Sequence, residues 1–301
     1  MSTSKKLVFF GNERLVSGLN STEAPVLNRL IADGYDIKAI VVNHSDGKSR
    51  SARPLEVAQV AGLHNIPVLS PQNPIDIIDE LKALQPDAAV LVAYGRIVPQ
   101  QVIDVFGEPG IINLHPSLLP RHRGPTPIES TILAGDHQAG VSIMRLSVGM
   151  DEGPVYSRSS FELDGTENKF DLCEMLSSEG AELISRILPD ILSGAKTPKP
   201  QKNSDVSYTS LLTKIDGLLQ PASETATQCE RKIRAYLNYP KTRITLPQTT
   251  VIVTAGRVAN HLDDGALVIT CADDTYLEIT ELIGPSGKKM SGEAFLRGYA
   301  A

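Results

Sequence analysis

Two regimes of apolar spacing divide the chain. Through residue 192, short continuous apolar runs alternate with segments whose apolar residues recur at helical spacing. Residues 7–10 form the first run, which ends at Gly11. Residues 24–32 follow as a helix, with Thr22 as its cap and Gly34 just past its end. The alternation continues with a strand at 37–42, a helix at 54–61, a short strand at 67–69, a helix at 75–84 and a strong strand at 88–93. A further apolar run at 110–114 is bounded by turn residues. Strands alternating with helices predict an α/β fold, a doubly wound and mostly parallel sheet with helices on both faces. Ligands of such sheets sit beyond the carboxyl ends of the strands.

Beyond residue 154 a strand is expected at 155–161 and a long helix at 168–192, interrupted near Gly180. Residues 193–205 are rich in Pro, Lys and polar side chains and predict an extended linker. From residue 206 the pattern changes to a helix at 224–237 and short β-rich runs at 243–246, 250–254, 267–270 and 276–282. Several short strands with turn signals predict a small β-barrel. The expected organisation is a first domain at 1–192, a linker at 193–205 and a second domain at 206–301.

The chemistry concentrates between Gly110 and Pro154. Residues two apart on a strand share a face, so Asn113 and His115 project together near the end of the 110–114 run. Pro116 ends regular pairing and starts a loop. That loop reaches Thr126-Pro-Ile-Glu129, which has the form of a capping box with proline at the first helical position. Asp151 follows in a Gly-Met-Asp-Glu-Gly-Pro turn that could return to the same place. Asn, His and Asp together suit transfer of an acyl group to an amine. Attack of the amine on a carbonyl puts negative charge on oxygen, which an Asn N–H and an imidazolium can hold. A His held by an Asp can take the proton that the amine must lose. No serine or cysteine nucleophile is needed when the acyl donor is already activated.

Bulk properties narrow the class. At 301 residues two domains are expected, and 41% hydrophobic with 21% charged residues describe an ordinary globular protein. No apolar run reaches spanning length and no signal-type segment follows Met1–Lys6, so a cytoplasmic location is expected. Cys173, Cys229 and Cys271 are odd in number and widely spaced, which suggests neither a disulfide framework nor a metal site. The turn Gly11-Asn12-Glu13-Arg14 lacks Gly-x-Gly-x-x-Gly, so no dinucleotide is expected.

The run Asn113-Leu-His-Pro-Ser-Leu-Leu-Pro120, with Asp151 in its glycine turn, resembles the signature of the folate-dependent formyltransferases. From Leu7 to the end, the chain most resembles the branch that formylates the methionine carried by initiator tRNA for translation initiation. The resemblance implies 10-formyltetrahydrofolate as formyl donor, with Asn113, His115 and Asp151 catalytic. It also implies that Tyr94, Gly95, Arg96, Ile97 and Val98 line the pterin pocket, and that Ser117, Leu118, Leu119 and Pro120 lie against the folate. The second domain then corresponds to an oligonucleotide-binding (OB-like) barrel that holds tRNA, and a monomer without membrane attachment is expected.

Charge does not favour a nucleic-acid partner in bulk. The net charge is -6, and residues 206–301 carry equal numbers of basic and acidic groups. Binding must use local clusters: Lys48, Arg50 and Arg53, Arg121 and Arg123, Lys196, Lys199 and Lys202, Arg231, Lys232 and Arg234, and Lys288 and Lys289. The family resemblance adds weight to Arg50 and Arg53, whose loop would reach the tRNA acceptor end. The chain departs from the family at the first turn, at His122 where an aromatic residue is common, and in the run 233–240, which has lost a proline. Three alternatives stay open: a sugar-nucleotide N-formyltransferase, a formyltetrahydrofolate hydrolase, and a non-catalytic tRNA-binding protein.

Overall fold

Phe9 and Phe10 lie at the centre of a sheet because five consecutive residues, Leu7 to Gly11, bury completely or nearly so. In the computed structural model, which describes residues 4–19, 22–43, 55–202, 204–247 and 249–299, this run is β1 (Lys6–Gly11). It is followed by α1 (Pro25–Ala32), β2 (Asp36–Val41), α2 (Glu56–His64), β3 (Val68–Leu69) and α3 (Ile78–Ala83). Next come β4 (Ala88–Val92), α4 (Gln100–Ile103), β5 (Ile111–His115), α5 (Pro127–Ala134), β6 (Gln138–Arg145), β7 (Val155–Glu162) and α6 (Lys169–Leu192). The seven strands pair in the order β3-β2-β1-β4-β5-β6-β7. The first five are parallel, and β6 and β7 add antiparallel edges. The direction of winding reverses between β1 and β4, which opens a crevice at the carboxyl ends of the strands.

Three local expectations are corrected. α6 runs unbroken through Gly180, where a Cβ would come within 2.5 Å of Leu114 Cδ1. The glycine therefore lets the helix seat on β5 instead of interrupting it. Thr126 does stand at the N-cap position of α5 with a proline following it, but no capping box forms: its hydroxyl donates to the Ser210 carbonyl, and Glu129 is buried in the interior. Thr22 does not cap α1, accepting instead from the Ala24 amide. Glu13 fills that role, its carboxylate accepting from Val26 N at 2.9 Å and Leu27 N at 2.8 Å. A helix N-terminus attracts anions, and here the protein's own carboxylate occupies it. Burial nevertheless raises the Glu13 pKa to about 7.

The second half contains α7 (Ala226–Ala235), β8 (Arg243–Thr245), β9 (Thr250–Ala259), β10 (Val268–Thr270), β11 (Tyr276–Ile283), β12 (Lys289–Ser291) and α8 (Gly292–Tyr299). Its five strands form a curled antiparallel sheet, a half-barrel around its own apolar core that includes Ile233, Val253, Leu277 and Phe295. Ala235 and Tyr236 instead belong to the core of the first sheet, so α7 spans both. Lys169, fully buried on α6, ties the halves together: its ammonium donates to Ser17 O and Tyr239 O, each at 2.8 Å, and lies 3.8 Å from Glu129. Arg231 packs over Gly135 of the first domain, and Arg234 donates to Glu167 O at 2.7 Å. Among the described residues no helix is long and apolar enough to cross a membrane.

Candidate active site

Strand alternation sets the site. Ile112 and Leu114 of β5 face the core beneath α6, so Asn113 and His115 project from the opposite face. Both are buried, each 5% exposed. The Asn113 carboxamide makes no hydrogen bond to another described residue, which leaves its N–H groups free to donate. His115 is held on two sides. Its Nε2 lies 3.0 Å from the carbonyl oxygen of His122, and its Nδ1 lies 3.6 Å from Asp151 Oδ2. A carbonyl only accepts, so Nε2 carries the proton and Nδ1 is the basic nitrogen of the neutral ring. A proton arriving at Nδ1 then meets the Asp151 carboxylate.

The loops are pinned by their own polar groups. Asp151 adopts a left-handed φ of 51°, and its Oδ2 accepts from Gly124 N at 2.8 Å. His122, also left-handed at φ 56°, is fixed through its side chain by Asp136 at 2.7 Å and through its amide by Ser207 Oγ at 2.8 Å. Ser142, opposite His115 on β6, donates to Ser117 O at 2.7 Å and accepts from Leu119 N at 3.1 Å. The segment expected as an extended linker, 193–205, is held against this part of the chain: Lys199 exchanges backbone hydrogen bonds with Val155, and Gln201 donates to Asp151 O and Gly153 O. The residues just after it continue as a strap across the loop. Arg123 N donates to Ser207 O, Thr209 N to Arg123 O, and Ser207 N to Pro120 O.

The expected folate residues divide into inward and outward groups. The Tyr94 ring is buried edge-on against Phe10 at 5.5 Å and Val98 joins the same cluster, so these two side chains face the core. Gly95 and Ile97 are exposed, with Ile97 at 79%, and Arg96 is half-buried and donates to Pro71 O and Gln72 O. Ser117 donates to Arg121 O at 2.7 Å, and Leu119 is buried against Met144 and Val155. Pro120 is half-buried, and Leu118 lines a cavity of about 310 Å³ with Gly140 and His122. Of these residues, Gly95, Arg96, Ile97, Leu118 and Pro120 keep exposed surface.

The basic candidates also separate. Lys48, Arg50 and Arg53 lie outside the described residues. Arg123 is corrected from the tRNA side: it is 6% exposed and its guanidinium is spent on Gln201 and Tyr208. Arg121 stays accessible while paired to Asp136. Lys288 is exposed, and Lys289 is exposed but 2.8 Å from Glu281. Arg231, Lys232 and Arg234 serve the domain contact and the helix itself. Sequence reasoning missed Gly124, Gln201, Ser207 and the His122 carbonyl, because backbone groups and linker-type residues carry no chemical signature.

Comparison with known proteins addresses the family and the fold. The formyl transferase family profile matches residues 13–188, and the formyl transferase C-terminal domain profile matches residues 211–300. The methionyl-tRNA formyltransferase of Halorhodospira halophila is 34% identical over 295 residues, covering 94% of this chain and 94% of its own. That of Chloroflexus aggregans is 34% identical over 300 residues, covering 94% and 96%. In fold, the chain is similar to the N-formyltransferase of Helicobacter canadensis in complex with folinic acid and dTDP-3-aminofucose. The TM-score is 0.68 and the identity 17%, over 92% of this chain and 99% of that one. HypX from Aquifex aeolicus in complex with tetrahydrofolic acid gives 0.65 at 16% identity, over 98% of this chain and 47% of that longer protein.

Proposed function

The chain belongs to the formyl transferase family, and from that premise we propose that it transfers a formyl group from 10-formyltetrahydrofolate to the amino group of methionyl initiator tRNA. The observation that carries the chemistry is the convergence of Asn113, His115 and Asp151 from β5 and a separate turn. Asn113 offers its unpartnered N–H to the oxygen on which charge develops. His115 takes the amine proton at Nδ1, because Nε2 is committed to the His122 carbonyl. Asp151 stands beside the nitrogen that becomes charged and is itself fixed by Gly124. The exposed edge at Gly95–Ile97, with Leu118, forms the donor side. The tRNA reaches the site over Arg121 and over the second domain through Lys288 and Lys289.

The choice of tRNA over an amino sugar rests on two features. Likeness to methionyl-tRNA formyltransferases extends over nearly the whole chain, and it includes the C-terminal domain. The test is a formyl-transfer assay that offers methionyl initiator tRNA, dTDP-amino sugars and water as competing acceptors. Formylmethionyl-tRNA should dominate the products. Preferential formylation of the sugar nucleotides, or formate release alone, would reassign the acceptor.

A further inference from the structure

Gln201 lies outside the sheet, in the strap that passes between the two domains, yet its side chain spans two catalytic loops. Its Nε2 donates to Asp151 O at 2.7 Å and to Gly153 O at 2.8 Å. Its Oε1 accepts from Arg123 Nε at 3.1 Å and Nη2 at 2.9 Å. One carboxamide thus uses both donors and both acceptor sites. Gly124, adjoining Arg123, gives its amide to Asp151 Oδ2 at 2.8 Å. The contacts close a ring that runs from Asp151 through Gly124, Arg123 and Gln201 back to Asp151.

We propose that Gln201 is a positioning residue for formyl transfer, fixing the Asp151 turn against the Arg123 loop and so setting the Asp151–His115 separation. Asp151 needs an external hold because φ 51° is a conformation that residues other than glycine rarely adopt. Arg123 is a rigid post for it, since its third nitrogen donates to Tyr208 OH at 2.9 Å and Tyr208 donates to Glu152 at 2.6 Å. The segment joining the domains therefore belongs to the catalytic scaffold, and its removal should disable chemistry as well as any grip on tRNA. The inference rests on Asp151 acting beside His115, as in the proposed reaction.

The test uses two variants of the full chain. Gln201→Met keeps the length and loses all four bonds. Gln201→Glu keeps an acceptor for Arg123 but can no longer donate to the two carbonyls. Each should lower kcat by about ten- to a hundredfold, because small misplacements of catalytic groups are costly, while KM for the formyl donor changes by less than about twofold. In an Asp151→Ala background, Gln201→Met should add less than about a further twofold, since it acts through Asp151. A kcat close to that of the unsubstituted protein in both variants would overturn the proposal, as would a full multiplicative loss in the Asp151→Ala background. Rates are compared as ratios on whichever amine the protein turns over, so a wrong acceptor assignment leaves this test intact. A crystal structure of Gln201→Met with Asp151 still in place beside His115 would also overturn it.

Discussion

Asp151 Oδ2 stands 3.6 Å from Nδ1 of His115, while the other nitrogen of that ring is committed to the His122 carbonyl at 3.0 Å. This relationship assigns the two ring nitrogens different work. One is held by the loop carbonyl and orients the ring; the other faces the carboxylate and, in the proposed reaction, is the one that exchanges the proton, beside the Asp151 carboxylate.

Substitution of Asn113, His115 or Asp151 by alanine should each lower kcat by about 100- to 1000-fold, the range for losing one oxyanion donor or its support. Donor affinity, read by equilibrium titration with a folate analogue, should change far less. Because the groups act as a unit, Asn113→Ala/His115→Ala should be little slower than the worse single variant. Near-normal turnover in Asp151→Ala would remove that residue from the mechanism.

Glu13 gives a pH signature of folding. Its pKa in the folded chain, about 7, exceeds the ordinary value of 4.5. Between those values the folded protein binds the proton more tightly than the unfolded chain, so this group's contribution to stability falls as pH rises through the window. Glu13→Gln removes the ionisation, and urea midpoints measured below and above the window should differ less than in the unsubstituted protein. An unchanged difference would show that Glu13 does not titrate there.

Lys169→Met should strongly destabilise the whole chain, because it leaves Glu129 buried and orphans two carbonyls at the domain contact. Removing one partner of a buried pair costs about 3–5 kcal/mol. Lys169→Met/Glu129→Gln should recover part of that loss in thermal unfolding. A single variant that unfolds like the parent would mean that the carboxyl is neutral and the lysine contributes little.

Exposed and buried cations should behave differently towards tRNA. Lys288→Ala should raise the tRNA requirement and reduce the slope of log affinity against log salt by roughly 0.7 to 0.9, the share of one phosphate contact. Arg123→Ala should instead depress kcat with little change in that slope, since its guanidinium is already bound within the protein. The reverse pattern, measured by filter binding across a salt series, would exchange their roles.

The sequence by itself determined the alternation of strands and helices and a β-rich second half, and it singled out Asn113, His115 and Asp151, two of which, His115 and Asp151, the fold brings to 3.6 Å. These rest on local periodicity and on side chains whose chemistry is visible in the residue name. Tertiary structure decided what depends on non-local approach. Gly180 suggested a helix break until Leu114 occupied the space beside it. Thr126 and Glu129 matched a capping box until the strap and Lys169 offered better partners. Arg123 looked like a surface cation, and Gln201 like part of an extended linker. Their real partners are backbone carbonyls and a carboxamide distant in sequence, and such contacts leave no period or motif in the chain. Only the folded path of the backbone brings them within hydrogen-bond distance.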